Sequence, residues 1–209
     1  MANVLDAVLN QYKQNKSGGQ RKEVDLTKYF SAVLQKNESS GKKRFRILPP
    51  TPGKSPFEEG HFHEIQVDGQ WRKIYCPHKN DGEACPFCEA ERELMATGKK
   101  EDAEIAKAYR SRKFYIVKGI DRMKPDEGVK FWRFKHNYKA EGIIDKIIPL
   151  FEEEGDITDP KIGRDLLISM GKDDKGYTKI TSILVKDKEV LGEPDQVKEW
   201  MEDELTWRD

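Results

Sequence analysis

Residues 60–91 hold all three cysteines of the chain (Cys76, Cys85, Cys88) and three of its four histidines (His61, His63, His78). No other stretch restricts the fold as much. Cys85-Pro86-Phe87-Cys88 is a C-x2-C knuckle, with Cys76 nine positions before Cys85 and His63 thirteen before Cys76. Such a knuckle brings two thiolates to one ion without straining the backbone, and zinc takes four N or S ligands in a tetrahedron. Three thiolates and one imidazole fill it and leave no place for water, so the expected ion is structural rather than catalytic. His63 is the preferred fourth ligand; His78 and then His61 are the alternatives. The expectation is one zinc ion on His63, Cys76, Cys85 and Cys88, within a subdomain at about residues 60–98.

Other chemistries fit these residues less well. A disulfide leaves one of three thiols over. A thioredoxin-type motif belongs near a βαβ pattern and gives Cys76 no role. A zinc deaminase needs H-x-E and then P-C-x-x-C. Here Glu64 directly follows His63, His61-x-His63 ends in the wrong residue, and Ala84 precedes Cys85.

A chain of 209 residues fits one domain of moderate size with appendages. Hydrophobic and charged residues each make up 36%, so the core is modest and a metal that ties loops together would help it. No apolar run approaches the ~20 residues of a membrane span, and the first residues lack a signal-peptide pattern. Few cysteines, all usable for metal, suggest a reducing cytoplasm. Formal net charge is zero but unevenly spread. Residues 107–139 carry eleven Lys/Arg against three Asp/Glu, and residues 187–209 carry nine Asp/Glu against three Lys/Arg. Such asymmetry suggests a basic binding surface and an acidic tail, the plainer alternative being a solvated face.

Along the chain, Val4, Leu5, Val8, Leu9 and Tyr12 predict an amphipathic helix over 2–15, followed by a basic flexible linker over 16–22. That helix serves either as an arm for a neighbouring molecule or as a cap on its own core. Asp25 caps an expected second helix carrying Leu26, Tyr29, Phe30, Val33 and Leu34. Strands are expected over 43–48, over 62–67 and 70–75 around Asp68-Gly69, over 113–119 and 129–134, and over 166–170 and 177–185. Helices are expected over 89–97, 101–109 and 138–153, the last interrupted or shortened by Pro149. The fold class is therefore mainly β with α insertions, about seven short strands forming a small barrel. Residues 23–186 form its core and 187–209 the acidic tail.

Basic residues interleaved with aromatics, as in residues 109–115 and 130–135, are what a binder of single-stranded nucleic acid needs. Cations track phosphates, and exposed rings stack on any base. Because strand side chains alternate between faces, half of these rings are expected to be packing.

Three elements occur in one order: Phe45-Arg46-Ile47-Leu48-Pro49, then His63-x12-Cys76-x8-Cys85-x2-Cys88, then Arg110-Ser111-Arg112-Lys113-Phe114-Tyr115. In that order, with residues 163–168 (GRDLLI) as a late strand, they resemble the single-stranded DNA-binding protein of T-even-type tailed phages and its relatives, over about residues 40–185. The gap between Cys76 and Cys85 is one residue shorter than in the best-known member. The resemblance implies an OB-fold core with an inserted structural zinc subdomain, and cooperative, sequence-independent binding of single-stranded DNA in replication, recombination and repair. It also implies an N-terminal arm for self-association, here residues 1–22, and an acidic C-terminal tail that recruits replication or recombination proteins, here 187–209. The host bacterial cytoplasm is the implied location. Two departures stand out: the N-terminal segment is helical and only modestly basic, and Trp200 and Trp207 make the tail partly apolar.

On this reading Arg44, Arg46, Arg110, Arg112, Lys113, Arg133 and Lys135 neutralise phosphates. Trp71, Tyr75, Tyr109, Tyr115, Trp132 and Tyr138 are the stacking candidates. No chemistry is expected. The chief alternative is a zinc-ribbon adaptor that binds protein; a nuclease lacks support, since no paired-carboxylate motif falls on a strand end and no H-N-H pattern occurs.

Overall fold

The computed structural model describes residues 26–67 and 69–208. The helix expected over 2–15 and the linker over 16–22 lie outside the described residues. Within them the chain is mainly β, with eight strands in one mixed sheet and five α-helices.

All seven expected strands form. In chain order they are β2 (Ser40–Ile47), β3 (Phe57–Val67), β4 (Gln70–Tyr75), β5 (Ser111–Asp121), β6 (Val129–Lys135), β7 (Arg164–Lys172) and β8 (Thr178–Lys188). The eighth, β1 (Tyr29–Phe30), falls where a helix was expected; only Leu26–Lys28 turn as a short 3-10 helix. Tertiary pairing overrides the helical spacing here. Phe30 and Tyr29 pair in parallel with Trp132 and Phe131, and the Phe30 ring packs 4.6 Å from Phe45 and 5.7 Å from Trp132.

The strand path runs β1-β6-β5-β2-β7-β8, with β3 also on β5 and β4 on β3. Strand β5 is the hub. β6 takes one edge through residues 114–120, while β3 (through 111–117) and β2 (through 119–121) share the other. Where β2 crosses, Gly119 is obligatory, since a Cβ there would meet the Arg46 carbonyl and the Phe45 ring at 2.4 Å.

Between β4 and β5 run α1 (Pro77–Asp81), α2 (Pro86–Ala96) and α3 (Lys100–Tyr109). α2 starts at Pro86, three residues before the expected boundary, because proline suits the first helical position. α4 (Ile143–Glu154) starts after Gly142, whose N–H donates to Asp145 Oδ2 at 2.7 Å, and runs on through Pro149. No helix among the described residues is long and apolar enough to cross a membrane.

The sheet buries both faces. One carries Phe45, Ile47, Val117, Trp132, Phe134, Leu166 and Ile168 against Ile144, Ile147 and Leu150 of α4. The other carries Phe62, Phe114, Ile116 and Phe131, and is closed by Trp207. The acidic C-terminal stretch is thus not free, and the expected tail is corrected in two respects. Strand β8 runs to Lys188, past the boundary at 187, and α5 (Pro194–Glu202) with the segment after it lies on the sheet. Leu191 and Trp200 pack with Leu48, Ile120 and Val129, while Trp207 Nε1 donates to Glu58 at 2.8 Å. Apolar side chains decide this placement despite the acidic composition, because burying two indoles outweighs leaving the segment in water.

Candidate metal centre and cationic surface

Four buried side chains, His63, Cys76, Cys85 and Cys88, place their ligand atoms within 4.8 Å of one another. His63 Nε2 lies 3.3 Å from Cys85 Sγ and 3.8 Å from Cys88 Sγ, and Cys76 Sγ lies 3.5 Å from Cys88 Sγ. Around one tetrahedral zinc ion, sulfurs sit about 3.8 Å apart and sulfur and nitrogen about 3.5 Å apart. The cluster could therefore hold one metal ion in a closed site. All three cysteines are free, which excludes the disulfide reading.

The fold explains the spacing. His63 is on β3, Cys76 ends β4 beside it, and the knuckle opens α2. Cys76 also caps α1, its sulfur accepting from Lys79 N at 3.4 Å. Asn80 fixes this corner, its amide donating to the His61 and Cys76 carbonyls and accepting from His61 N, each at 2.9 Å. Sequence reasoning passed over Asn80, for nothing in its residue type marks it. Of the alternative fourth ligands, His78 is exposed on α1 and His61 is half-buried; neither joins the cluster.

The neighbours of His63 assign its proton. Nδ1 lies 2.6 Å from the Tyr109 carbonyl, which can only accept, so Nδ1 carries the hydrogen and Nε2 turns its lone pair to the sulfurs. Burial pushes the imidazole below its ordinary pKa, keeping it neutral as a ligand must be. Burial, then Cys76 and Cys85, push the Cys88 thiol up to about 12. Burial also works to raise Cys85, yet backbone N–H groups of Cys88 and Phe87 bring it below the usual thiol value. Three thiols this close cannot all ionise without a cation among them, and a coordinating ion supplies that charge.

The expected nucleic-acid contacts are dispersed. Strand pairing sets Lys113, Tyr115 and Trp132 on one face of the sheet, and Arg112, Arg133, Lys135, Tyr75 and Trp71 on the other. Trp132 and Arg46 prove buried, which corrects their expected role, and others already have partners within the protein. Trp132 is 3% exposed in the main core. Arg46 is fully buried, its Nε donating to Asp165 at 2.7 Å, and Arg44 pairs with Asp165 and Glu189. The Tyr109 ring stacks on Phe87 beside His63, so this residue serves the metal corner. Tyr75 lies against Phe62 and Trp207 and donates to Asp81. Arg110 pairs with Glu91, and Lys113 pairs with Glu59 above the Tyr115 ring. Arg112 is half-buried and donates to the Lys107 carbonyl at 3.5 Å.

Of the remaining candidates, Trp71, Arg133 and Lys135 share one face, while Tyr138 stands apart from them near Tyr115. Trp71 is 73% exposed, and Tyr138 is 76% exposed beside His136. On the face of Trp71 lie Lys73, Arg133 and Lys135. Glu64 pairs with Lys135, while Arg133 lies over the Tyr29 and Phe62 rings at 4.8 and 4.7 Å. Protein packed around its ammonium, then Arg133, push Lys73 below the usual lysine value; Glu64 opposes and Lys135 adds to the lowering. Lys73 was missed because it stands outside the basic stretch of 107–139. The signal for it was its place two residues from Trp71 on a strand, which puts both on one face.

No protein-family model matches this sequence, and no curated protein is similar enough to it to signal a relationship.

Proposed function

We propose that the chain binds single-stranded DNA without a sequence requirement and performs no chemistry. The reading is of an OB-fold-like small barrel braced by one structural zinc ion. The observation that carries it is the crowding of Lys73, Arg133 and Lys135 on one sheet face beside the exposed ring of Trp71, with Glu64 the one carboxylate among them in the described residues. Like charges held together are unfavourable in the free protein, and a phosphate chain relieves them; an exposed indole beside them offers a base its face.

The barrel reading is supported by contacts that bridge β5. Side chains of β3 meet those of β6 across β5, Glu64 with Lys135 and Phe62 with Arg133, as a partly open small barrel requires. Zinc, rather than another ion, is favoured by the donor set, since three thiolates and one imidazole in a closed tetrahedron suit it. Buried free thiols suit a reducing cytoplasm. Self-association through residues 1–22 belongs to the same reading, as does partner recruitment by the exposed acidic side of α5. Replication, recombination and repair are its setting.

Titration of intrinsic tryptophan fluorescence with poly(dT) at two salt concentrations tests it. Trp71 should be quenched, and affinity should fall steeply with salt. A flat response rejects the proposal and favours a protein-binding adaptor. One observation speaks for that second reading: Arg44, Arg46, Arg110 and Lys113 are each already paired with a carboxylate.

A further inference from the structure

A pocket of about 250 Å³ lies beside Trp71, lined by Glu64, Trp71, Arg72 and Lys73. That is below the ~300–1,000 Å³ of sites for drug-sized ligands, and suits one planar base rather than a whole nucleotide. The indole gives it a flat wall, and Lys73, on the same face, gives it positive charge. Glu64 is the unexpected member. A carboxylate repels the phosphates that its neighbours attract, so in a site for a polyanion it calls for a role of its own. Pairing sets Glu64 opposite Lys73 and Gln66 opposite Trp71, which makes Glu64 and Trp71 diagonal neighbours on one face, about 7–8 Å apart. A base lying on the indole turns an edge toward that carboxylate.

We infer that this pocket is a guanine-preferring base subsite, in which Trp71 carries the ring and Glu64 accepts from guanine N1–H and the 2-amino group. The inference rests on the single-stranded DNA reading and adds a bias at one position to binding that is otherwise indifferent to sequence. Guanine alone presents two adjacent donors on its Watson–Crick edge, matching a carboxylate as the two parallel N–H groups of arginine do. Adenine and cytosine each set a ring-nitrogen acceptor beside one amino group, and thymine sets its N–H between two carbonyls. Each of these turns a lone pair toward Glu64. Lys135 occupies one acceptor position of that carboxylate, and about three others remain for a base.

The test uses the whole chain and short thymidine oligonucleotides carrying one central guanine, one central adenine or neither. A lone guanine avoids quartet formation. The guanine oligonucleotide should bind about fivefold tighter than the other two, and Glu64→Gln should bring the guanine-to-thymidine ratio to one. Equal affinity for guanine and adenine would overturn the inference, since stacking alone would then suffice. A guanine preference that survives Glu64→Gln would also overturn it. The wild-type ratio decides even if the variant folds poorly. Failure of every oligonucleotide to bind would overturn the DNA-binding reading itself, a result distinct from equal binding of all three.

Discussion

Arg208 Nη1 lies 2.9 Å from Asp81 Oδ1 and 3.0 Å from the Tyr75 hydroxyl, so the last described turn of the chain is tied to the helix that Cys76 caps. The preceding residue, Trp207, closes the sheet face built by Phe62, Phe114, Ile116 and Phe131. The metal corner and the C-terminal segment therefore share one wall, and a change in either should be felt by the other.

Removal of the metal by a chelator should loosen α1 and α2, lower the melting temperature by about 10 °C (on the order of 3 kcal/mol), and make the segment around Trp207 more sensitive to protease. Cys85→Ser should act in the same way. Thermal melts with metal analysis check this; an unchanged melt would count against a structural ion.

Asp165→Asn should destabilise by about 3–5 kcal/mol, because it strands the fully buried Arg46. Burial alone would raise the Asp165 pKa, but the guanidiniums of Arg46, Arg122 and Arg44 outweigh it and hold the carboxyl below its ordinary value. The linked stability is therefore complete above the unfolded value of about 3.9, and is lost as pH falls through the lower folded value. Denaturant melts from pH 6 downward should show wild type losing stability below about pH 4, with a shallower fall in the variant.

Trp207→Ala should cost about 3 kcal/mol by opening a cavity in the second face. Deleting 187–209 should lower stability further and promote aggregation, since it uncovers that whole face. Denaturant melts and light scattering would report both effects.

Trp71→Ala should leave stability within about 0.5 kcal/mol, as the ring packs on little. It should weaken oligonucleotide binding by about 1–3 kcal/mol, the value of one stacked base. Equilibrium titration beside a melt separates the two effects.

Lys73→Ala, Arg133→Ala and Lys135→Ala should each flatten the slope of log affinity against log salt by about 0.7. Lys113→Ala, on the opposite face and paired with Glu59, should change it less. Titration over a range of salt measures each slope.

Local chemistry was legible in the sequence wherever one rule dominates. The C-x2-C knuckle and its spacing to His63 identified the cluster, because a tetrahedron allows few alternatives. The Asp68-Gly69 signal marked the β3–β4 hairpin. What was not legible depends on distant partners. Arg46 reads as a phosphate contact until Asp165, well over a hundred residues away, is brought against it. Trp132 alternates as a surface residue might, yet Phe30 and Phe45 enclose it. Acidic composition hid the docking of residues 191–207, where two indoles matter more than six carboxylates.

The closure of one sheet face by Trp207 has a further consequence for synthesis. Phe62, Phe114 and Phe131 emerge from the ribosome long before the indole that covers them. Until residues 191–207 are released this face is an open apolar surface, and its core closes only once they dock. A stalled or shortened chain would present that surface to chaperones, or to a second copy able to lend its own indole.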